Sequence, residues 1–308
     1  MLADDCGTPL ETGTVQVQFS GGEEPLGLNA TGGGYWEASW VPAGTANGVT
    51  LQLAPGSGAP IAQICLKVAA TAAAIPAIYR GGVVSAADPL PLAPLARGGL
   101  MAIYGSGLAD SGLRAGTTPL PPSLANVQVL LAGQPLPLLY VSPGQIDAVI
   151  PYDVPAGVPM PVVVSNGSRQ SLPETVVIAS AQPAVFILPQ FGPAQAAAVG
   201  PGGLATPQSP VTAGDRLVIY CEGLGSVTPD FTAGGLAPSD TLYRTANPVS
   251  VSIGGQPAVV EFAGLAPGSV GEYQINVVVP AGIPPGGAVP LVIAVAGASS
   301  SASTIAVR

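Results

Sequence analysis

The chain carries one pattern twice. The stretch QIDAVIP at residues 145–151 returns as QINVVVP at 274–280. A glycine-containing turn precedes each copy, SPGQ in the first and LAPGSVGEYQ in the second, and a small-residue turn follows at 156–159 and 281–284. The echo extends upstream. VQVLLAGQP at 127–135 matches VSVSIGGQP at 249–257, and IYGSGL at 103–108 matches IYCEGL at 219–224. The offset between copies grows from 116 to 122 to 129 residues along the chain, so loops lengthen while the strand segments keep their size. A unit of about a hundred residues used twice points to modules in a row.

The modules read as all-β. Gly 42 and Pro 35 supply a quarter of the 308 residues, which alone would suggest disorder, but 48 % of the chain is hydrophobic. A chain this apolar can bury enough surface to offset its conformational entropy. Its prolines and glycines punctuate short apolar runs, the pattern of many strands joined by tight turns. In the first 70 residues, TVQVQF at 14–19 and VTLQL at 49–53 alternate apolar and polar side chains, as a strand with one buried face does. Runs at 26–30, 35–41 and 61–69 complete a set that suits a small β-sandwich. In the second module strands are expected near 83–86, 100–104, 127–131, 135–141, 145–150, 161–165 and 173–179, with 109–123 as loop. The third repeats that order, near 184–188, 195–199, 216–221, 248–253, 257–263, 272–279, 289–296 and 302–307. Residues 71–80, interrupted by Pro76, read as a linker or an edge strand. The expected domains are 1–72, 73–180 and 181–308.

Charge excludes several partners. Asp+Glu 17 against Lys+Arg 8 gives a net charge of −9, and Lys67 is the only lysine. Phosphate binding needs clustered cations, so nucleic acid and a basic membrane-surface patch are both excluded. No run of 18 apolar residues exists to enter a membrane. The opening MLADDCGTP lacks a basic segment followed by an apolar one, and reads as the start of a module within something longer.

The chain has no histidine, which removes the commonest general base and metal ligand. There is no Ser–Lys pair, and Lys67 beside Cys65 reads as a solvated edge residue. The adjacent carboxylates Asp4/Asp5 and Glu23/Glu24 would point apart on a strand or turn, and no DxDxDG-like string marks a calcium loop. Asp110, Asp230 and Asp240 fall in expected loops, where they would hold an ion only weakly. No catalytic residue, cofactor or metal is therefore expected, and the chain does not read as an enzyme. Cys6 and Cys65 bracket the first module. A bridge between them would close a loop of about 60 residues, worth about 3–4 kcal/mol, and would imply an oxidising extracellular setting. Two buried free thiols are the alternative. Cys221 stands where the first copy has Gly105 and reads as a small buried filler.

The repeat singles out matched polar residues. Gln145 and Gln274, with Asp147 and Asn276 two residues on, read as a structural motif in which the glutamine pins the turn just upstream. Tyr104 and Tyr220 occupy matching positions, with a hydroxyl expected to bond backbone at a sheet corner. Tyr35, Trp36 and Trp40 would form a sandwich core or, less simply, a sugar-stacking platform. Two sequons, at Asn29 and Asn166, fall at expected turns and are candidate glycosylation sites.

The residues GGVVSAA at 81–87, then IYGSGL, then LLYVSPGQIDAVIPYDVPAG, with the second copy FAGLAPGSVGEYQINVVVPAGIPPG and the ending TIAVR, resemble the Solibacter-type C-terminal domain of acidobacterial surface proteins. The resemblance covers roughly residues 78–308. It implies two immunoglobulin-like sandwiches of the IPT type. DDCGTP and YWEASWVP in the first module resemble the further immunoglobulin-like domain that often precedes them. The resemblance thus implies three tandem immunoglobulin-like β-sandwich domains at an extracellular or cell-surface location. The expected role is structural or adhesive. Self-assembly into a homo-oligomer or filament would proceed through sheet edges and termini, by lending residues 71–79 or 299–307 to a neighbour's open sheet edge. Binding of surface glycans, as the accessory module of a larger secreted protein, is the alternative.

Overall fold

The computed structural model describes residues 15–17, 26–32, 35–37, 49–53, 62–66 and 75–308. Two compact units divide the chain, Met1–Ala74 and Ile75–Arg308. Among the described residues there is no α-helix, and a single 3-10 turn at Pro189–Phe191 interrupts the strands. The protein is all-β.

In the first unit, strands β1 (Val15–Val17), β2 (Leu26–Gly32) and β3 (Tyr35–Glu37) form an antiparallel sheet, and β4 (Val49–Leu53) pairs with β5 (Ala62–Leu66). Strands β1, β3, β4 and β5 lie within the expected runs at 14–19, 35–41, 49–53 and 61–69, and β2 continues past the expected 26–30 to Gly32. Asn29 lies inside β2, opposite Glu37, and not at the expected turn. Cys65 belongs to β5, opposite Thr50, while Cys6, Trp40 and Lys67 lie outside the described residues, as do the side chains of Cys65 and Trp36.

The second unit contains both copies of the repeat. The first half has β6 (Ala77–Ser85), β7 (Leu95–Ala96), β8 (Leu100–Ser106), β9 (Leu113–Arg114), β10 (Val127–Leu131), β11 (Gln134–Pro135), β12 (Leu138–Val141), β13 (Gln145–Val149), β14 (Pro159–Asn166), β15 (Arg169–Gln170) and β16 (Glu174–Ala179). They make two sheets, β6-β8-β13-β12-β9 and β11-β10-β14-β16-β7. Period-2 burial gives each sheet an inner face. In β10, Val127, Val129 and Leu131 are buried, and in β13, Ile146 and Ala148 are buried while Gln145 and Asp147 point away. The inner faces meet in one core that includes Met101, Ile103, Leu138, Ile146, Val162 and Ile178.

The second half has β17 (Ala184–Val185), β18 (Ala198–Gly200), β19 (Gly203–Leu204), β20 (Arg216–Glu222), β21 (Val227–Thr228), β22 (Arg244–Thr245), β23 (Val249–Ile253), β24 (Gln256–Leu265), β25 (Tyr273–Val278), β26 (Gly286–Val295), β27 (Ala298–Ser299) and β28 (Ser303–Val307). They form one curled sheet around a core of their own, centred on Leu217, Ile219, Ile275, Val277, Leu291 and Ile293.

Register confirms the duplication. Tyr104 pairs with Gln145 as Tyr220 pairs with Gln274, and Tyr140 pairs with Asp147 as Phe262 pairs with Asn276. A parallel contact recurs too: β7 lies along β16, and Gln195 and Val211 lie along β28 at Thr304 and Val307. One difference has a direct cause. GQPAVVEFAGL runs as a single ten-residue strand, β24, which pairs with β23 and then with β25 through a register shift. In the first half, GQPLPLLYV breaks into β11 on one sheet and β12 on the other, with Leu136-Pro137 between them. Pro137 lacks the N–H that Val259 offers at the matching position, so the strand cannot continue across both sheets.

Two sequence expectations change here. The stretch 109–123 is not all loop, because Leu113–Arg114 forms β9 and pairs with β12 at Tyr140–Val141. Residues 299–307 are not free to be lent to a neighbour. Strand β28 is paired with β26 on one edge and bridged at Thr304 and Val307 on the other. Residues 77–79 of the proposed upstream donor are likewise taken into β6, against β8 at Gly105 and Ser106.

Candidate functional site

The residues matched by the repeat gather on the outward faces of the two halves. In β13, strand alternation that sends Ile146 and Ala148 into the core turns Gln145 and Asp147 outward. The Gln145 amide donates to Asp147 Oδ1 at 2.7 Å. Strand β8 places Tyr104 beside Gln145, and β12 places Tyr140 beside Asp147. Strand β9 then sets the Arg114 guanidinium over the Tyr140 ring, 5.8 Å from its centroid. Half-burial pushes the Asp147 carboxyl up, against the downward pull of the Gln145 hydrogen bond and the Arg114 charge. The second half repeats the plan. The Gln274 amide donates to Asn276 Oδ1 at 3.3 Å, Tyr220 flanks Gln274, and Arg244 lies 4.9 Å from the centroid of the Phe262 ring.

These positions revise two sequence expectations. Neither glutamine side chain pins the upstream turn. In the first half Ser142 does so, its hydroxyl bonding both the carbonyl and the N–H of Gln145 at 3.0 Å. The Tyr104 and Tyr220 hydroxyls make no backbone bond among the described residues. The tyrosine that does is Tyr273, fully buried, which donates to the Gly225 carbonyl and lies 3.3 Å from the Tyr152 hydroxyl. Burial drives both phenols up, Tyr152 to about 12.

Sequence reasoning does not single out the second feature, a buried carboxylate. Glu222 is buried, and every partner it has comes from the other half of the unit. Its carboxylate accepts from the Ser85 hydroxyl, from Ala87 N–H at 3.2 Å and from Leu100 N–H. Burial pushes its carboxyl up to about 7, although those donors pull it down. The matching residue in the first copy is Ser106, which is exposed. A charge replacing a hydroxyl inside the otherwise matched IYGSGL/IYCEGL segment is the available signal. Next to it, Cys221 is a buried free thiol, pushed well up by desolvation and by the Glu222 charge, as a filler and not a nucleophile would be.

The remaining candidates disperse. Asp110 accepts from Arg169 at 2.9 Å and from the Asn166 amide at 3.1 Å, contacts that hold its carboxyl below the usual range. Asn166 is thereby a buried strand end and not an exposed turn, and the nitrogen that would carry a glycan is already bonded. Asp230 and Asp240 are exposed, and among the described residues no group of His, Cys, Asp and Glu could hold a metal ion. Tyr35 is exposed in β3. A groove of about 1000 Å³ runs between the halves of the second unit, walled by Pro135, Pro137, Tyr152 and Phe231 with Asp153 and Asp230 beside them.

No family model matches the chain, and no curated protein matches it. Among solved structures, the chain is similar to SGBP-B from a complex xyloglucan utilization locus in Bacteroides uniformis. The identity is 11 % and the TM-score 0.25, over 75 % of this chain and 49 % of that one. It is similar also to domains 5-6 of the S-layer protein SbsC, at 10 % identity and a TM-score of 0.24, over 75 % of this chain and 98 % of that one. The chain spans about half the length of the SGBP-B chain. Likeness at this level carries nothing about function.

Proposed function

We propose that the chain is a non-catalytic structural or adhesive module of an extracellular protein, in which residues 75–308 act as one stiff body. The buried Glu222 carries this reading. A carboxylate from one repeat that takes its hydrogen bonds from Ser85, Ala87 and Leu100 of the other ties the two repeats together. Removing the acceptor while the halves stay packed would leave buried N–H groups unsatisfied, at about 1–3 kcal/mol each. The resemblance to the Solibacter-type C-terminal domain supports the same placement at the cell surface. Assembly into a filament is the finer version of the proposal. It would have to use sheet edges other than β28, whose two sides are occupied in its own chain.

Stiffness is tested by attaching bioorthogonal spin labels at the exposed positions Leu172 and Leu242, one in each half. The expected result is a single narrow distance distribution. A broad one removes the reading. Negative-stain microscopy of concentrated protein that shows only monomers removes the filament version alone.

Binding of oligosaccharide is a second reading, favoured by one observation. The outward faces of both halves keep the same amide beside the same tyrosine, and each half has an arginine near an aromatic ring that is half-buried in the first half and buried in the second.

A further inference from the structure

We infer that the outward face of the first half, formed by Tyr79, Tyr104, Arg114, Tyr140, Gln145 and Asp147, is a binding site for a neutral oligosaccharide. The inference rests on the second reading above and supplies its site.

Three tyrosines frame the polar pair. Tyr104 is 37 % and Tyr79 56 % exposed. Tyr79 stands on an irregularity in β6, where the register against β8 jumps between Ile78 and Val83. That irregularity is built in. Glu174 accepts from Gly81 N–H at 2.7 Å, and a Cβ at Gly82 would lie 2.7 Å from the carbonyl oxygens of both Tyr79 and Tyr104. The strand is thus held so that Tyr79 emerges at the edge of the face that carries Tyr104. Flat exposed rings suit the apolar face of a pyranose, and their hydroxyls remain free to bond.

Between the rings, Gln145 spends one amide hydrogen on Asp147 Oδ1. The Gln145 carbonyl oxygen, its second amide hydrogen and Asp147 Oδ2 make no other hydrogen bond among the described residues. Side by side, a donor and two acceptors of this kind match the alternating donors and acceptors of adjacent sugar hydroxyls. Charge selects the class of sugar. The Asp147 carboxylate and the net charge of −9 oppose uronic or sulfated glycans, and the Arg114 cation is turned onto the Tyr140 ring. A protein partner fits less well, because interface centres are apolar with polar rims, the reverse of this arrangement.

The second half serves as an internal comparison. There Phe262 is buried, with its ring over Gly264, and Asn276 replaces the carboxylate. The first half is therefore the working site.

The test titrates the full chain with cellohexaose, laminarihexaose and mannohexaose by calorimetry, with thermal unfolding as the check on folding. At least one probe is expected to bind. Tyr104→Ala should weaken that binding by about tenfold or more, in keeping with loss of one aromatic platform. Tyr220→Ala should leave it near the parent value, and Gln145→Ala should weaken it without removing any core contact. If no probe binds the parent chain, both the site and the oligosaccharide reading fall. If a probe binds and neither Tyr104→Ala nor Gln145→Ala weakens it, the site falls while the reading stands. If Tyr104→Ala fails to fold, Gln145→Ala decides.

Discussion

At the scale of the residue, Glu222 is the most consequential side chain in the second unit. An acid in water ionises near 4.5, and burial moves this one to about 7. Between those values the folded chain keeps a proton that the unfolded chain has released. Its contribution to stability is therefore present below the unfolded value and is lost as pH rises through about 7. Full loss amounts to about 3 kcal/mol. Denaturant unfolding of the full chain should show stability falling between pH 5 and pH 8. Glu222→Gln should flatten that slope. The same substitution should lower stability by about 1–3 kcal/mol near pH 5, because its amide presents hydrogens toward N–H groups that need an acceptor, and the deficit should shrink toward pH 8 as the parent loses its own contribution. An unchanged slope in Glu222→Gln would assign the pH response to other groups, such as Glu272, whose carboxyl burial also pushes up.

At the scale of the element, matched strands are not interchangeable. Gly105 and Cys221 hold the same place in the repeat, yet a Cβ at Gly105 would lie 2.1 Å from the Ala77 carbonyl oxygen and 2.8 Å from Leu108 Cδ2. Gly105→Cys is thus expected to destabilise the chain by about 1–3 kcal/mol through overpacking, although cysteine is the residue that the other copy uses. Gly264→Ala should be similarly costly. Its Cβ would meet the Tyr243 carbonyl oxygen at 2.1 Å and the Phe262 ring at 2.7 Å. Urea midpoints of the two variants against the parent measure both effects. Strands themselves were readable from alternation, and the main runs fall where the apolar pattern puts them. What alternation could not supply were two-residue strands, β7, β9, β15, β19, β21 and β22 among them, and β9 shows why. Leu113–Arg114 sits among prolines and glycines, has no period of its own, and exists because β12 offers it an edge. With it went Arg114, the residue over Tyr140. Arg244 lies 130 residues further on, off the 116-to-122 trend of the neighbouring segments, so aligning the copies does not pair the two arginines. Tyr140 and Phe262 are different: their offset of 122 is that of the VQVLL segment, and the match was there to be read.

At the scale of the whole second unit, two cores are joined by one buried carboxylate and the segments around it. Scanning calorimetry of the full chain should show residues 75–308 melting in a single cooperative step. Glu222→Ala should separate it into two, because each half has its own core and the variant removes the acceptor that links them. Two steps already present in the parent would refute the coupling. Sequence by itself determined that this chain is all-β and that a hundred-residue unit recurs within it. Those properties follow from local alternation and from repetition, which every stretch of chain carries in its own composition. The tertiary structure alone decided that Glu222 of one copy is buried against Ser85 and Leu100 of the other. It alone decided that Tyr79, Tyr104, Gln145, Asp147, Tyr140 and Arg114 come from five strands to one face. Both depend on register and on contacts between residues far apart in sequence, and no periodicity along the chain encodes which distant strand will lie alongside.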